Sequence, residues 1–339
     1  MKKLVLNKIL ILSWISLFMF SCQNPKQDAL QKVKDIKLDN ICIKRYEADM
    51  FSVDTTYLQQ ELMKLQNEYL PFLDVDLKDK RNIDQIRAFI SDTLVKSVFL
   101  KVRTEFKSLQ FLEENLTLAF KHIKYHFPDW TPPQVYSYIS GLDYENPVSY
   151  NGDQLIIALD MYLGQDFETY LMMGFPKFKI SRMTREYMLA DCIREIIMND
   201  FTEDYFASNL IDKMLFEGRQ LYLLNQFIPW IEDQFKTGFT KEQLSWCKDN
   251  EAKMWAYFLE NELLFSSDPM IINKFTNDGP FTTVFHNDSP AKAAIWVGWQ
   301  IIESYMKKNP SVNLQELLVS RNTQEIFSMS GYKPRRTGF

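Results

Sequence analysis

Apolar residues recur at helical spacing along most of this chain and alternate with polar ones only in a few short stretches. The first alternation, "DNICIKRYEADMF" at residues 39–51, sets Ile41 and Ile43, and then Tyr46, as a short strand would. From Thr55 to about Tyr125 helical patterns dominate, in "TTYLQQELMKLQNEYL", "LVKSVFLKVRTEF" and "FLEENLTLAFKHIKY". "FPDWTPP" then stops the helical run, because Pro128, Pro132 and Pro133 each disfavour its continuation. "QVYSYIS" alternates like a strand. "GLDYENPVSYNGD" is a turn-rich connection carrying the hairpin dipeptide Asn151-Gly152, and "QLIIALDMYLG" reads as a buried strand. The expectation is a mainly α chain with a small antiparallel β-sheet, an α+β fold.

The helices after residue 180 have legible starts. Thr240 with Gln243, Asn313 with Glu316 and Asn322 with Glu325 have the spacing of capping boxes. Asp268-Pro269 and Ser289-Pro290 each set a cap residue before proline at a first helical position. In "AAIWVGWQIIESY", Gly298 between Trp296 and Trp299 costs about 1 kcal/mol of helix propensity relative to alanine. A neighbour pressing closely on that helix explains it.

The N-terminus changes the picture from fold to location. Lys2, Lys3 and Lys8 flank an apolar stretch that ends in "MFSC", the pattern of a secretory signal with a cysteine at the first mature position. The segment is too short for a stable span. Cys22 is therefore the expected lipidation site, and several acyl chains on one residue hold a protein firmly on a bilayer. The expected organisation is a signal peptide at 1–21, a flexible tether at 22–36 and one globular domain at 37–339.

After Cys22 only Cys42, Cys192 and Cys247 remain, which excludes a disulfide framework and leaves a hydrophobic core to hold the fold. At 46% hydrophobic, 24% charged and 10 glycines, the composition is that of a folded chain rather than a disordered one. The net charge is −5, and removal of the three signal lysines makes it more acidic. Basic residues are dispersed, so nucleic acid is not an expected partner.

Several stretches in order carry a family resemblance: "IKRYEADMF", "YHFPDWTPPQVYSYISG", "LIIALDMYLG", "LIDKMLFEGRQLYLLNQFIP", "GPFTTVFHNDSPAKAAIWVGWQIIESYM" and "SGYKPR". Together, after a lipidation cysteine, they resemble the gliding motility-associated lipoprotein GldB of Bacteroidota, a family similar to a wider group of predicted zinc peptidases. The resemblance implies a zincin-like helical domain, an outer-membrane lipoprotein facing the periplasm, and association with gliding or the linked secretion apparatus. "CQNPKQDALQK" has no acidic cluster behind Cys22 of the kind associated with surface display in such bacteria, in keeping with a periplasmic face.

Peptidases of that kind carry an H-E-x-x-H helix followed by a helix bearing a glutamate ligand, leaving one position for water. Here the helix reads "YMLADCIREIIMNDF", residues 187–201. In one register Asp191 and Glu195 fall on the histidine positions and Cys192 on the base. In the other, Arg194 and Met198 take the histidine positions and Glu195 is kept as base. Glu217, in "FEGRQLY", takes the third-ligand place in both. Neither register offers an imidazole, and a guanidinium repels a cation. The same helix reads more simply as amphipathic, with Leu189, Cys192, Ile193, Ile196 and Ile197 on an apolar sector and Asp191, Arg194 and Glu195 outside it.

His122 and His126 have the four-residue spacing of a metal pair, but Ile123 follows the first and no third ligand lies nearby in sequence. A surface or boundary pair is the simpler reading. His286 lies in a loop with Asp288 close by, and "YKPRR" reads as a solvated tail. The expectation is a non-catalytic interaction or assembly subunit, a pseudopeptidase with no catalytic residue, metal or cofactor. Asp191, Cys192, Arg194, Glu195 and Glu217 would mark a vestigial cleft. Its partners would be outer-membrane lipid, through acylated Cys22, and other envelope proteins. The alternative is a metal-dependent hydrolase in which Asp191, Glu195 and Glu217 supply oxygen ligands to a hard cation.

Overall fold

The computed structural model describes residues 32–202, 207–320 and 322–334. The signal segment and Cys22 lie outside the described residues, as do the arginines of "YKPRR". Two units, Met1–Leu38 and Asp39–Phe339, make up the chain. In the first, residues 32–34 form a helical turn.

The second unit opens with β1 (Ile43–Arg45), which runs directly into α1 (Tyr46–Met50). Its helical series follows as α2 (Leu58–Leu65), α3 (Leu70–Leu73), α4 (Lys80–Ser91), α5 (Thr93–Glu105) and α6 (Gln110–His126). Three strands come next: β2 (Gln134–Tyr138), β3 (Val148–Tyr150) and β4 (Gln154–Ala158). Two short helices, α7 (Glu168–Met172) and α8 (Lys177–Ile180), lead to the long α9 (Met188–Asp200) and α10 (Leu210–Phe227). The remainder is α11 (Asp233–Thr237), α12 (Lys241–Glu260), α13 (Pro269–Thr276), α14 (Ala293–Lys308), α15 (Leu314–Val319) and α16 (Thr323–Ser330).

The chain is mainly helical with a small sheet, as the periodicity implied. The sheet itself is mixed rather than antiparallel. Its order is β1-β2-β4-β3, with β1 parallel to β2 and β2 parallel to β4. Only the β3–β4 hairpin, closed by Asn151-Gly152, is antiparallel, and Val148 there faces Ile157. The hairpin dipeptide was a local signal. The parallel pairing of β1 with β2 joins strands separated by six helices, α1 to α6, and nothing near either strand encodes its direction.

Buried polar groups fasten the sheet to its surroundings. Glu47, 1% exposed, accepts from Arg45 Nε at 2.7 Å and from Ser137 Oγ at 2.8 Å, tying α1 to β2. Beyond β4, the buried Asp160 accepts from the Ser140 and Leu142 backbone N–H groups and from Ser140 Oγ. The outer edge of β3 packs against α9, where Asn199 Nδ2 donates to the Tyr150 carbonyl at 3.3 Å and Tyr150 Oη donates to Asp200 at 2.6 Å. An edge strand covered in this way is closed to further pairing.

Among the described residues, Leu58, Leu62, Leu73, Ile83 and Ile90 gather over Tyr136 of β2 in one apolar core, while α10, α12, α13 and α14 share another around Met214, Phe258, Phe275 and Trp296. The tight neighbour inferred at Gly298 is α10. A Cβ on Gly218 would lie 2.5 Å from the Gly298 carbonyl carbon, and one on Gly298 would collide with the Met214 carbonyl oxygen. The two helix backbones touch there, closer than the usual 8–10 Å between axes permits with side chains between.

The capping boxes at Thr240 and Asn313 form as read, Asn322 caps α16, and Asp268 caps α13 with Pro269 at its first turn. Ser289-Pro290 does not start a helix. Ser289 is fully buried and its Oγ accepts from Thr282 N–H at 3.2 Å, so it is held in the loop. The helix α14 begins at Ala293, after Lys292 in the left-handed region at φ 58°.

Candidate functional site

On α9, Leu189, Cys192, Ile193, Ile196 and Ile197 are all buried, as the amphipathic reading required. The opposite face is not free surface. Asp191, Arg194 and Glu195 line a cleft of about 290 Å³, and Glu217 of α10 lines the same cleft. Four of the five residues marked in the sequence therefore converge. Cys192 does not join them. It points into the core, and burial pushes its thiol well above the usual range, which keeps it protonated and unreactive.

Two of the cleft's carboxylates, Asp191 and Glu217, are held by groups of their own chain. Arg194 Nη1 donates to Asp191 Oδ1 at 2.6 Å and Tyr162 Oη donates to Asp191 Oδ2 at 3.0 Å. The second guanidinium nitrogen, Nη2, donates to the Lys236 carbonyl at 2.8 Å, so Arg194 bridges α9 to α11. Glu217 Oε1 lies 2.6 Å from Lys213 Nζ, one turn earlier on α10. Glu195 has no hydrogen bond or ion pair among the described residues. Burial raises its carboxyl above the usual range; Arg194 opposes that shift and Asp191 reinforces it.

As an oxygen cage for a hard cation these three carboxylates fit poorly. Two already carry a cationic partner, and Arg194 stands between Asp191 and Glu195 on the same helix. Among the described residues no group of three histidines, cysteines or carboxylates has the geometry to hold a metal. Calcium and magnesium need several oxygens converging on one point.

Residues that the sequence did not single out form the other wall. Arg182 makes a paired contact with Asp278, Nη1 to Oδ2 and Nη2 to Oδ1 both at 3.2 Å, while its Nε donates to the Gly238 carbonyl at 3.0 Å. Lys179 Nζ lies 3.5 Å and Lys292 Nζ 3.9 Å from the same carboxylate. Burial alone would raise the Asp278 carboxyl, but Arg182, Lys292 and Lys179 outweigh it and hold it below the usual range. Lys292 is driven below the ordinary lysine range by burial, against the pull of Asp278. Lys236, 2% exposed, reaches Asp233 at 2.9 Å and donates to Asn225 Oδ1 at 2.5 Å. No local motif could have gathered these groups, since Arg182, Asp278 and Lys292 come from three separate segments.

The histidines lie elsewhere. His122 is buried, hydrogen-bonded to the Gln226 backbone and 5.3 Å from the Trp230 ring; burial lowers its pKa. Burial and the neighbouring His122 push His126 down to about 4. The pair is more buried than a surface reading supposes, and both rings are neutral at physiological pH. His286 pairs with Asp288 at 2.9 Å on the exposed surface.

The family model of the gliding motility protein GldB matches residues 26–334. The chain belongs to the GldB family. This match spans nearly all of the chain, both walls of the cleft included, and makes the protein a gliding motility-associated lipoprotein. No curated protein and no solved structure matches it. Membrane association follows from the family, and among the described residues no helix is long and apolar enough to cross a membrane.

Proposed function

We propose that this lipoprotein is a non-catalytic interaction subunit of the gliding or linked secretion apparatus. It is anchored through acylated Cys22 at the periplasmic face of the outer membrane, and it uses the cleft between α9 and α10 to bind rather than to turn over. The observation that carries the non-catalytic part is the engagement of two of the cleft carboxylates, Asp191 by Arg194 and Tyr162, and Glu217 by Lys213, which leaves Glu195 without a second carboxylate free to work with it. A general base or a metal ligand needs its lone pairs free for the reacting atom. The peptidase-like ancestry stands on the order of the strand, the Asp191–Glu195 helix and the Glu217 helix.

Pulldown of the tagged full chain from solubilised envelopes should recover other gliding or secretion components. Recovery of only lipid and abundant porins would count against the interaction role. A stoichiometric metal in chelator-free protein, lost in Glu217→Ala, would replace it with a hydrolase. Cys22→Ala should release the protein from the membrane fraction, and an unchanged distribution would remove the anchor.

A further inference from the structure

Leu171, Met172 and Met173 are 54%, 82% and 50% exposed, and among the described residues no other three consecutive large apolar side chains stand in solvent. Single exposed apolar residues are ordinary on a protein surface, but a run of them calls for something that covers it. This run is not a frayed end. Helix α7 closes in a Schellman turn, with Gly174 in the left-handed region at φ 78°. The Gly174 N–H donates to the Leu171 carbonyl at 3.0 Å, and the Phe175 N–H donates to the Tyr170 carbonyl at 3.1 Å. Phe175 also stacks on Tyr170, with ring centroids 5.7 Å apart. Tyr170 is fully buried; its hydroxyl donates to the Asp160 carbonyl at 2.6 Å and accepts from the Leu163 N–H at 3.0 Å. Two buried rings thus fix the turn to the fold and hold the three apolar side chains outward.

The chemistry of the turn suits hydrocarbon. No charged residue lies between Glu168 and Lys177. The N–H groups of Met173, Gly174 and Phe175 all donate within the turn, so a low-dielectric surface strands none of these donors. A protein partner suits it less well. A stable protein interface takes about 800 Å² from each side, far more than three side chains on one turn offer. A bilayer takes in apolar side chains at its headgroup and acyl boundary without needing a matching shape. It is also the surface within reach, because the family is one of lipoproteins. From Cys22 to Asp39, where the second unit begins, the chain spans at most about 60 Å when fully extended. A folded unit of this length has a radius of gyration of roughly 20 Å, so the anchor keeps its surface near the bilayer.

We propose that the Leu171–Met173 turn is a second membrane contact, which dips its three side chains into the bilayer that holds the lipid anchor and so sets which face of the domain lies against it. Glu168 and Lys177, exposed on either side of the turn, keep the insertion shallow, because neither charge enters hydrocarbon cheaply. The contact rests on the lipid anchor at Cys22 and is independent of the cleft.

The test uses the full lipidated chain in vesicles of phosphatidylethanolamine with a minority of phosphatidylglycerol. Met172→Cys, in a Cys42→Ser background, carries a polarity-sensitive fluorophore; Cys192 and Cys247 are buried, and acylation blocks Cys22. Met270→Cys, at a site 77% exposed in the parent, is the control. Both sites face solvent, so the fold is kept, and melting of each labelled chain alongside the parent checks it. In vesicles that float with the protein, the label at position 172 should shift to the blue and lose accessibility to aqueous iodide several-fold. A nitroxide near the headgroup end of the acyl chain should quench it more than one at the chain's end, as a depth of about 5–10 Å requires. The label at position 270 should stay in water. Adding Leu171→Ser and Met173→Ser to the chain labelled at 172 should abolish the shift, which shows that the side chains and not the fluorophore drive insertion. A water-exposed label at 172 in floating vesicles overturns the membrane contact and leaves the anchor standing. A chain that does not float overturns the anchor and the contact with it. An equal shift at 270 also overturns the proposal, as does shielding from iodide without nitroxide quenching, which would assign the turn to a second copy of the chain.

Discussion

Helix α10 meets two neighbours that treat it in opposite ways. Toward α14, Gly218 lies against Gly298 with no room for a single added carbon. Toward the cleft, Glu217 and Gln220 border open space, and Gln220 buries an amide donor without a partner. The first face is specified by packing, where every atom is counted. The second departs from the rule that buried donors are paired, one turn away on the same helix. Sequences that specify a fold satisfy all such rules except where a site demands otherwise. The contrast singles out the cleft, and each of the following measurements can weaken or sharpen it.

The largest effect belongs to the packed face. Gly298→Ala drives a Cβ into the Met214 carbonyl oxygen, and neither backbone can yield without moving the helix. Overpacking of a core typically costs 1–3 kcal/mol. Because the obstacle here is backbone rather than side chain, a loss of roughly 3 kcal/mol or more is expected in denaturant unfolding. A loss below about 1 kcal/mol would mean that the two helices are not in backbone contact, and half of the comparison would go.

How much of this was legible in the sequence follows the same division. Gly298 between Trp296 and Trp299 announced a close neighbour, although its partner Gly218 gave no sign within "FEGRQLY". Capping residues located the starts of α12, α13 and α15 because a cap is chemistry within four residues. Ser289-Pro290 looked the same and misled, since a tertiary bond to Thr282 had already claimed the serine. On the cleft side, Asp191, Arg194, Glu195 and Glu217 were legible through their place on two consecutive helices. Arg182, Asp278 and Lys292 were not, because they meet only after the chain between them has folded. Cys192 fell among the marked residues by spacing alone, and its turn on the helix carries it into the core. The parallel direction of β1 failed for a similar reason, as it depends on a partner across six helices.

A middle-sized effect tests the charge on the cleft's basic wall. Asp278→Asn leaves Arg182, Lys179 and Lys292 facing one another without their shared carboxylate. These side chains are between 23% and 33% exposed, so water screens part of the repulsion. A loss of roughly 1–2 kcal/mol at neutral pH is expected, below that of a fully buried pair. The sign with pH follows from the lowered Asp278 pKa. Its contribution is present above the ordinary carboxylate range and is lost as pH falls through the depressed value. The gap between parent and variant should therefore close below about pH 4. A gap that stays constant with pH would show that Asp278 acts through shape and not through charge.

The smallest effect is the most discriminating, because its direction is opposite to that of most substitutions. Glu195 is buried enough for its carboxyl to be raised, Asp191 adds to the shift, and Arg194 removes only part of it. A raised acid stabilises the fold fully below its unfolded pKa and loses that contribution as pH climbs through the folded value. At neutral pH the ionised Glu195 therefore works against the folded state, and Glu195→Gln should raise stability by roughly a few tenths of a kcal/mol, modest because the group is partly solvated. The gain should vanish below about pH 4, where parent and variant are both neutral. Melting of the full chain at acid and neutral pH measures both. A loss of stability at neutral pH instead would mean that the Glu195 carboxylate has a cationic partner in solution, and every marked carboxylate of the cleft would then be engaged.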